Sequence, residues 1–409
     1  MGRFDRFFED DGSLKRGAPQ ERPHSPVRGL PGGSWVDDGV YRVERRHEFG
    51  THGRRAFEKP EAMEVMGVLG ARGSVVFLDL ETTGLAGGTG TYAFLCGIGI
   101  ADHSGFNVIQ FFLEGPAKER RWLGAIDAVI PAEACLVTYN GRSFDIPLLR
   151  TRHILSRSSP AWDVLPHIDL LHQARRFYRG RLESCSLGSM ERHVLGVARS
   201  GEDIPGCLIP AMYMRYLQTR DAAPLRGVFY HNELDIVSLA ALYCHVARLM
   251  DGRSADGLDL TRAGDVWMAA GFPQRAQTLW AAARDIPPAR AEAGVRMAYL
   301  AKRDADFESA REGFLLTLEA VRSGETCGDV TVCELLEELA KLEEHRFRSP
   351  GRAMEYTRRA LDWLRKNRYL LGRSFARMNR SMTQRAERLE RALNKQTKEK
   401  RENERCNVP

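Results

Sequence analysis

Two acidic side chains, Asp79 and Glu81, lie two residues apart in an apolar segment that reads VVFLDLE (75–81) and is predicted to form a buried strand. Side chains at positions i and i+2 of a strand point to the same face. Two carboxylates on one face of a buried strand are costly unless cations or hydrogen-bond donors compensate them. Oxygen ligands suit Mg²⁺ or Mn²⁺. The pair therefore indicates a divalent metal site, and a salt-bridged strand end is the alternative.

Two further acidic residues, Asp145 and Asp235, lie on predicted helices. In YNGRSFDIPLL (139–149), a predicted strand ends at Asn140 and a helix begins near Asp145, and helix capping is the alternative role for both residues. Asp235 lies in HNELDIVSLAALY (231–243), beside the apolar stripe of a predicted helix, and therefore faces the body of the domain or its rim. His231 precedes Asp235 by one helical turn and shares its face.

The elements around these residues predict an α/β domain. Apolar segments predict strands at 75–81, 91–102, 106–114 and 135–140, and helices at 118–130, 144–157 and 224–250. Three neighbouring strands followed by alternating strands and helices indicate a mixed sheet, antiparallel first and parallel afterwards, with helices on its faces.

The rest of the chain divides into three other regions. Residues 1–60 are rich in Gly, Pro and Arg, and predict a flexible or irregular N-terminal arm. Residues 258–370 form three pairs of apolar helical patterns that recur at about the tetratricopeptide period, the alternative being an ordinary helical bundle. Residues 371–409 predict a basic tail, helical or disordered.

Composition bounds the class of protein. The chain has 409 residues, 43% hydrophobic and 28% charged, which is typical of a globular protein and excludes overall disorder. Its longest apolar run is far shorter than the roughly 20 residues that span a bilayer, so we expect a cytoplasmic protein without a membrane partner. The net charge is +6, and Arg373 to Arg405 alone hold eleven Lys or Arg against five Glu. This tail is either a solvated helix face or a contact for nucleic acid.

In combination, these motifs resemble a known family. A D-x-E strand, N-x(3)-F-D after a later strand, and a final Asp preceded by Tyr or His on the last helix are similar to the DEDD exonuclease superfamily, which has a ribonuclease-H-like fold. The closer resemblance is to bacterial YprB-like ribonuclease-H-like proteins. It extends over the following segments: LDLETTGL, YNGRSFDIPLL, HIDLLHQARRFYR, CSLGSMERHVLG, EDIPGCLIPAMYMRYL and HNELDIVSL. It covers residues 71–250 well and the tetratricopeptide-like region 258–370 loosely.

The resemblance implies a catalytic site and a reaction. Four residues, Asp79, Glu81, Asp145 and Asp235, would be acidic ligands of two divalent ions, Mg²⁺ or Mn²⁺. These would support hydrolysis of phosphodiester bonds in DNA or RNA with a single-stranded end, most simply as a 3′→5′ exonuclease.

The general base departs from the superfamily pattern. That pattern places Tyr four residues before the final Asp, or His five residues before it. Here His231 is at the fourth position and Tyr230 at the fifth. Because the fourth position shares the face of Asp235 better, we predict that His231 orients or deprotonates the attacking water, with Tyr230 as the alternative.

Four residues near the acids are candidate substrate contacts. Thr82 and Gly84 would let a terminal nucleotide approach the backbone, Ser143 would hold a phosphate, and Asn140 would either fix the turn before Asp145 or touch substrate. Two other functions stay open. The first is a helical-repeat adaptor whose nuclease-like domain binds nucleic acid without cutting it. The second is an endonuclease on the same fold. The helical repeats would offer a surface for a protein partner.

Overall fold

The computed structural model of the chain describes residues 27, 29–47, 74–84, 90–102, 105–197, 199, 203–328 and 330–406. Within these described residues, seven strands form a single mixed sheet: β1 (Ser34–Asp37), β2 (Val40–His47), β3 (Val75–Thr82), β4 (Ala93–Asp102), β5 (Gly105–Leu113), β6 (Cys135–Thr138) and β7 (His167–Asp169). The strand order is β1-β2-β5-β4-β3-β6-β7. The pairs from β1 to β3 are antiparallel, and β6 and β7 continue the sheet parallel to β3. The predicted mixed sheet is confirmed.

Strands β1 and β2 correct the prediction of an irregular arm over residues 1–60. β2 pairs with β5 along its whole length, and Val40 and Val43 are buried in the core beneath it. The arginine and glutamate side chains at 42 and 44 stay at the surface, which weakens the apolar pattern that a strand would show in the sequence. The antiparallel part of the sheet therefore has five strands instead of the three predicted. Residues 1–26, 28 and 48–60 of the predicted arm lie outside the described residues.

The helices of the α/β domain cover both faces of the sheet. They are α1 (Glu119–Asp127), α2 (Asp145–Leu155), α3 (Leu170–Tyr178), the short α4 (Leu187–Met190), α5 (Ile209–Thr219) and α6 (Arg226–Met250). A π-helical turn, Glu191–Leu195, follows α4 directly. The predicted core stripe of α6 is fully buried, at Ile236, Leu239, Leu242 and Val246.

The alternation of β3 assigns its side chains to two cores. Val75 and Phe77 pack into the core that contains α6, whereas Val76, Leu78 and Leu80 pack into the core on the opposite face. Because side chains alternate along a strand, Asp79 and Glu81 fall on the α6 side, in line with Phe77. The expectation that both carboxylates share one face is therefore met by the register of β3.

Eight further helices follow the sheet domain: α7 (Gly257–Ala269), α8 (Pro273–Arg284), α9 (Arg290–Arg303), α10 (Phe307–Arg322), α11 (Val332–His345), α12 (Pro350–Lys366), α13 (Arg368–Leu371) and α14 (Arg373–Cys406). The helical C-terminal region is confirmed, and its tetratricopeptide character remains a prediction. Trp267 and Trp280 of α7 and α8 share the core cluster that holds α6, which attaches this region to the sheet domain.

The basic tail is one long helix, α14. Met382 and Leu389 are buried in it, and Arg388 donates to Glu344 of α11 at 2.8 Å, so the N-terminal part of α14 is docked on the helical region. In the part of the chain that the structure describes, no helix is both long and apolar enough to cross a membrane.

Candidate metal-binding active site

The four predicted acidic ligands come from three elements that meet beside β3. Asp79 and Glu81 lie on β3, Asp145 is the first residue of α2, and Asp235 lies on α6. The carboxyl group of Asp145 accepts a hydrogen bond from the backbone N–H of Leu80, which places it against the same strand. The structure therefore brings together acids that are up to 156 residues apart in the sequence.

Burial and mutual repulsion disfavour ionisation of these acids. Burial, followed by the charge of Asp235, holds the pKa of Asp79 and of Glu81 well above their usual range. Burial also raises the pKa of Asp145 to about 7. It raises the pKa of Asp235, although electrostatic interaction with His231 and Arg199 opposes that rise. A carboxylate cluster of this kind is stabilised by positive charge, whether from protons, an arginine or a metal ion.

His231 faces the acids, as its helical spacing predicts. Its Nε2 lies 3.6 Å from Oδ2 of Asp235, and ligand atoms of Glu81, His231 and Asp235 all lie within 4.8 Å of one another. Its Nδ1 lies 2.7 Å from Oδ1 of Asp203 and 3.2 Å from Nη1 of Arg199. A neutral imidazole that donates from Nδ1 to this carboxylate has its lone pair on Nε2, the nitrogen that faces the acids. Tyr230 is half-buried one position earlier, about 100° around the helix.

An arginine that sequence reasoning did not identify pairs with the site. The guanidinium of Arg199 donates to Asp235, to both oxygens of Glu191 at 2.6 and 2.7 Å, and to Asp203 at 3.2 Å. Glu191 is almost completely buried, so Arg199 is its counter-charge. Asp203 reads as a turn residue in the sequence, but its side chain links His231 and Arg199. Arg199 falls in a segment without helical or strand periodicity, so no sequence pattern pointed to it.

A cleft of about 570 Å³ opens beside Asp235 and His231. Its opposite wall comes from α4, the π-helical turn and residues 203–206, which include the apolar side chains of Leu187 and Ile204. A larger cavity, of about 810 Å³, lies among α8, α9 and α10, away from the acids. The smaller cleft therefore reaches Asp235 and His231, and the larger one belongs to the helical region.

The candidate substrate contacts lie on two turns at the carboxyl ends of strands. Thr82 donates from its hydroxyl to the carbonyl of Gly84 at 2.9 Å and closes the turn after β3. Asn140 adopts a left-handed conformation with φ 62°, and its backbone N–H donates to Oδ1 of Asp169 at 2.8 Å. Ser143 is exposed, and its backbone N–H donates to the carbonyl of Asn140. Asn140 thus shapes the turn that delivers Asp145, and contact of these residues with substrate remains a prediction.

Comparison with known proteins agrees with this architecture. Residues 76–247 match the model of the RNase_H superfamily. This segment is an RNase H-like domain. The chain is also 38% identical over 182 residues to the uncharacterized protein YprB of Bacillus subtilis strain 168. That alignment covers 43% of this chain and 43% of the relative, so the chain spans less than half the length of the relative it matches.

The comparisons confirm the predicted ribonuclease-H-like fold but not the predicted subtype within it. The RNase H-like domain contains β3 to β7 and all four acids, and its match ends within α6. The name of this relative states no activity. The likeness therefore supports a nuclease-like domain, while the DEDD subtype and the exonuclease mode stay predictions from the resemblance of the sequence motifs.

Proposed function

We propose that the RNase H-like domain is a metal-dependent nuclease that hydrolyses phosphodiester bonds of nucleic acid, with 3′→5′ exonuclease action as the expected mode. The observation that carries this proposal is the meeting of Asp79, Glu81, Asp145 and Asp235 beside β3. Acids with pKa values raised by burial and mutual repulsion form a site that a cation stabilises.

The donor set fits two hard divalent cations. Carboxylate oxygens are the ligands that Mg²⁺ and Mn²⁺ prefer, and four of them would neutralise the charge of such a pair. Ligand atoms of Glu81 and Asp235 lie beside His231, and Asp79 and Asp145 would complete the set of acidic ligands. When bound, the two ions would supply a water of lowered pKa and stabilise the leaving oxyanion.

His231 is proposed to orient the attacking water or to accept its proton. Asp203 holds the ring through Nδ1 at 2.7 Å, so that Nε2 is directed at the acids. An imidazole oriented by a carboxylate is a common arrangement for a general base near neutral pH. Tyr230 remains the alternative base, because its position corresponds to one of the two superfamily patterns with the residue types exchanged.

The remaining interactions are also proposals. Thr82, Gly84, Asn140 and Ser143 would contact a terminal nucleotide and its phosphate at the two turns beside the acids. The basic helix α14 would add electrostatic, sequence-independent binding. The helical region would offer a surface for a protein partner.

Digestion of end-labelled DNA and RNA with Mg²⁺, Mn²⁺ or EDTA tests this function. We expect stepwise shortening from the 3′ end that requires a divalent cation, and its loss in Asp79→Ala and Glu81→Ala while the fold is retained. Cleavage of a circular substrate would indicate an endonuclease. Nucleic-acid binding without any cleavage would favour the adaptor. Full activity in EDTA would refute metal dependence.

A further inference from the structure

A buried asparagine contacts the first acid of the site. Asn232 lies on α6, three residues before Asp235, and is fully buried. Its Nδ2 donates to Oδ2 of Asp79 at 2.9 Å and lies 3.3 Å from the Asp79 carbonyl. Asn232 thus contacts both the side chain and the backbone of the residue that begins the D-x-E pair.

The opposite end of the same amide is fixed by a second buried amide. Gln110 of β5 donates from Nε2 to Oδ1 of Asn232 at 2.9 Å, and also to the carbonyl of Phe229 at 2.8 Å. If either side-chain amide were rotated by 180°, its oxygen, in place of its NH₂ group, would face another hydrogen-bond acceptor. The network therefore determines that the NH₂ group of Asn232 faces Asp79.

The register of the sheet explains how this bridge forms. Asp79 of β3 is paired with Gly97 of β4, and Gly97 is paired with Gln110 of β5. The three residues form one row across neighbouring strands, and Asn232 lies above its middle member. A Cβ atom at Gly97 would come within 2.4 Å of Oδ1 of Asn232. Only glycine leaves room there for an amide that joins the two outer side chains of the row.

We propose that Asn232 is a positioning residue for the metal site. Its amide holds one oxygen of the Asp79 carboxylate and leaves the other oxygen directed at the cation. Gly97 and Gln110 keep the Asn232 side chain in the position that this role requires. This inference rests on the proposed function only in taking Asp79 as a metal ligand. Groups that orient first ligands typically change metal affinity about 10–100-fold when removed.

Titration calorimetry of the full chain with Mn²⁺ separates positioning from simple packing. We expect Asn232→Ala to weaken Mn²⁺ binding about 10–100-fold. The matched control is Ser238→Ala, which removes another buried polar side chain of the same helix and should leave Mn²⁺ affinity unchanged. Equal losses in the two variants, or wild-type affinity in Asn232→Ala, would overturn the inference.

A double mutant tests the role of the glycine. Gly97→Ala displaces Asn232 without touching an acid, so it should weaken Mn²⁺ binding by a similar factor. The double variant Gly97→Ala/Asn232→Ala should be no weaker than Asn232→Ala, because the displaced group is already gone. Losses that multiply would show that Gly97 acts independently, which would overturn its part in the proposal. If Asn232→Ala does not fold, Gln110→Met should still weaken Mn²⁺ binding, and unchanged affinity there would count against the network.

The wild-type result distinguishes this inference from the proposed function. Mn²⁺ binding without cleavage of any nucleic acid would refute the nuclease and leave the role of Asn232 to be decided by the variants. Absence of Mn²⁺ binding by the wild type would overturn both.

Discussion

Asp145 provides a quantitative test of the electrostatics of the site, because its carboxyl group is almost completely buried. Burial is the largest cause that raises its pKa from 3.8 to about 7, and hydrogen bonds from the backbone N–H groups of Asp145 and Leu80 oppose it. A carboxyl group whose pKa is higher in the folded state than in the unfolded state stabilises the fold at low pH. That contribution is lost as the pH rises through the folded-state pKa.

The magnitude follows from the two pKa values. The rise of the Asp145 pKa from 3.8 to about 7 corresponds to about 4 kcal/mol of unfolding free energy. The metal-free protein loses this stabilisation between about pH 4 and pH 8. Asp145→Asn keeps the shape of the side chain and cannot ionise. We therefore expect the metal-free variant to be more stable than the wild type by up to about 4 kcal/mol at pH 8, and by less than about 1 kcal/mol at pH 4.

Denaturation at a series of pH values in EDTA measures this difference. For a domain of this size, about 4 kcal/mol corresponds to roughly 10 °C in Tm. Asp285→Asn is the control, because that side chain is 81% exposed and should give no pH-dependent difference. With Mn²⁺, the wild type should gain stability and Asp145→Asn should gain much less. A gain from Asp145→Asn that is equal at pH 4 and pH 8, or a less stable variant at pH 8, would refute the reasoning.

Four other variants test the base, the arginine and the tail. In single-turnover cleavage at saturating Mn²⁺, His231→Ala should be about 10²–10⁴-fold slower than the wild type, and Tyr230→Phe should cleave at nearly the wild-type rate. The opposite order of rates would show that Tyr230 is the general base. Arg199→Met leaves the buried charge of Glu191 without its partner and should cost about 3–5 kcal/mol in chemical denaturation, whereas a cost below 1 kcal/mol would show that the pair is dispensable. Deletion of 394–409 should flatten the salt dependence of nucleic-acid binding at unchanged Tm, and an unchanged slope would assign this segment to a solvated helix.

The sequence was sufficient to predict the faces on which Asp79, Glu81 and Asp235 lie, because each of them belongs to a strongly patterned element. The period of two in β3 places Asp79 and Glu81 on one face, and the helical stripe of α6 places Asp235 toward the body of the domain. Both are local rules. The mixed sheet follows from the order of such elements, and the helical pairs of the C-terminal region follow from their strong period. These parts of the fold can be predicted with little knowledge of contacts between residues that are distant in the sequence.

The parts that sequence reasoning missed depend on distant contacts. β2 is an edge-proximal strand with several charged residues, and only pairing with β5 makes it regular. Arg199 lies between elements, and its partners Glu191 and Asp235 are brought to it by the packing of the π-helical turn against α6. The row of Asp79, Gly97 and Gln110 requires the register of three strands, which no single segment encodes.

Three kinds of positive charge compete for the carboxylates of the site: protons, Arg199 and a divalent cation. Protons leave as the pH rises through about 7, the pKa of Asp145, so metal affinity should increase over that range. Arg199 pairs with Asp235 when no cation is bound, but it also makes two hydrogen bonds to Glu191 and one to Asp203. A cation at Asp235 would therefore take one partner from Arg199 without leaving the guanidinium unpaired in a buried position. Because the arginine keeps its other partners, the exchange costs less than the rupture of an isolated buried ion pair. The same arrangement keeps a second positive charge beside the acids, where negative charge would develop on a phosphodiester substrate.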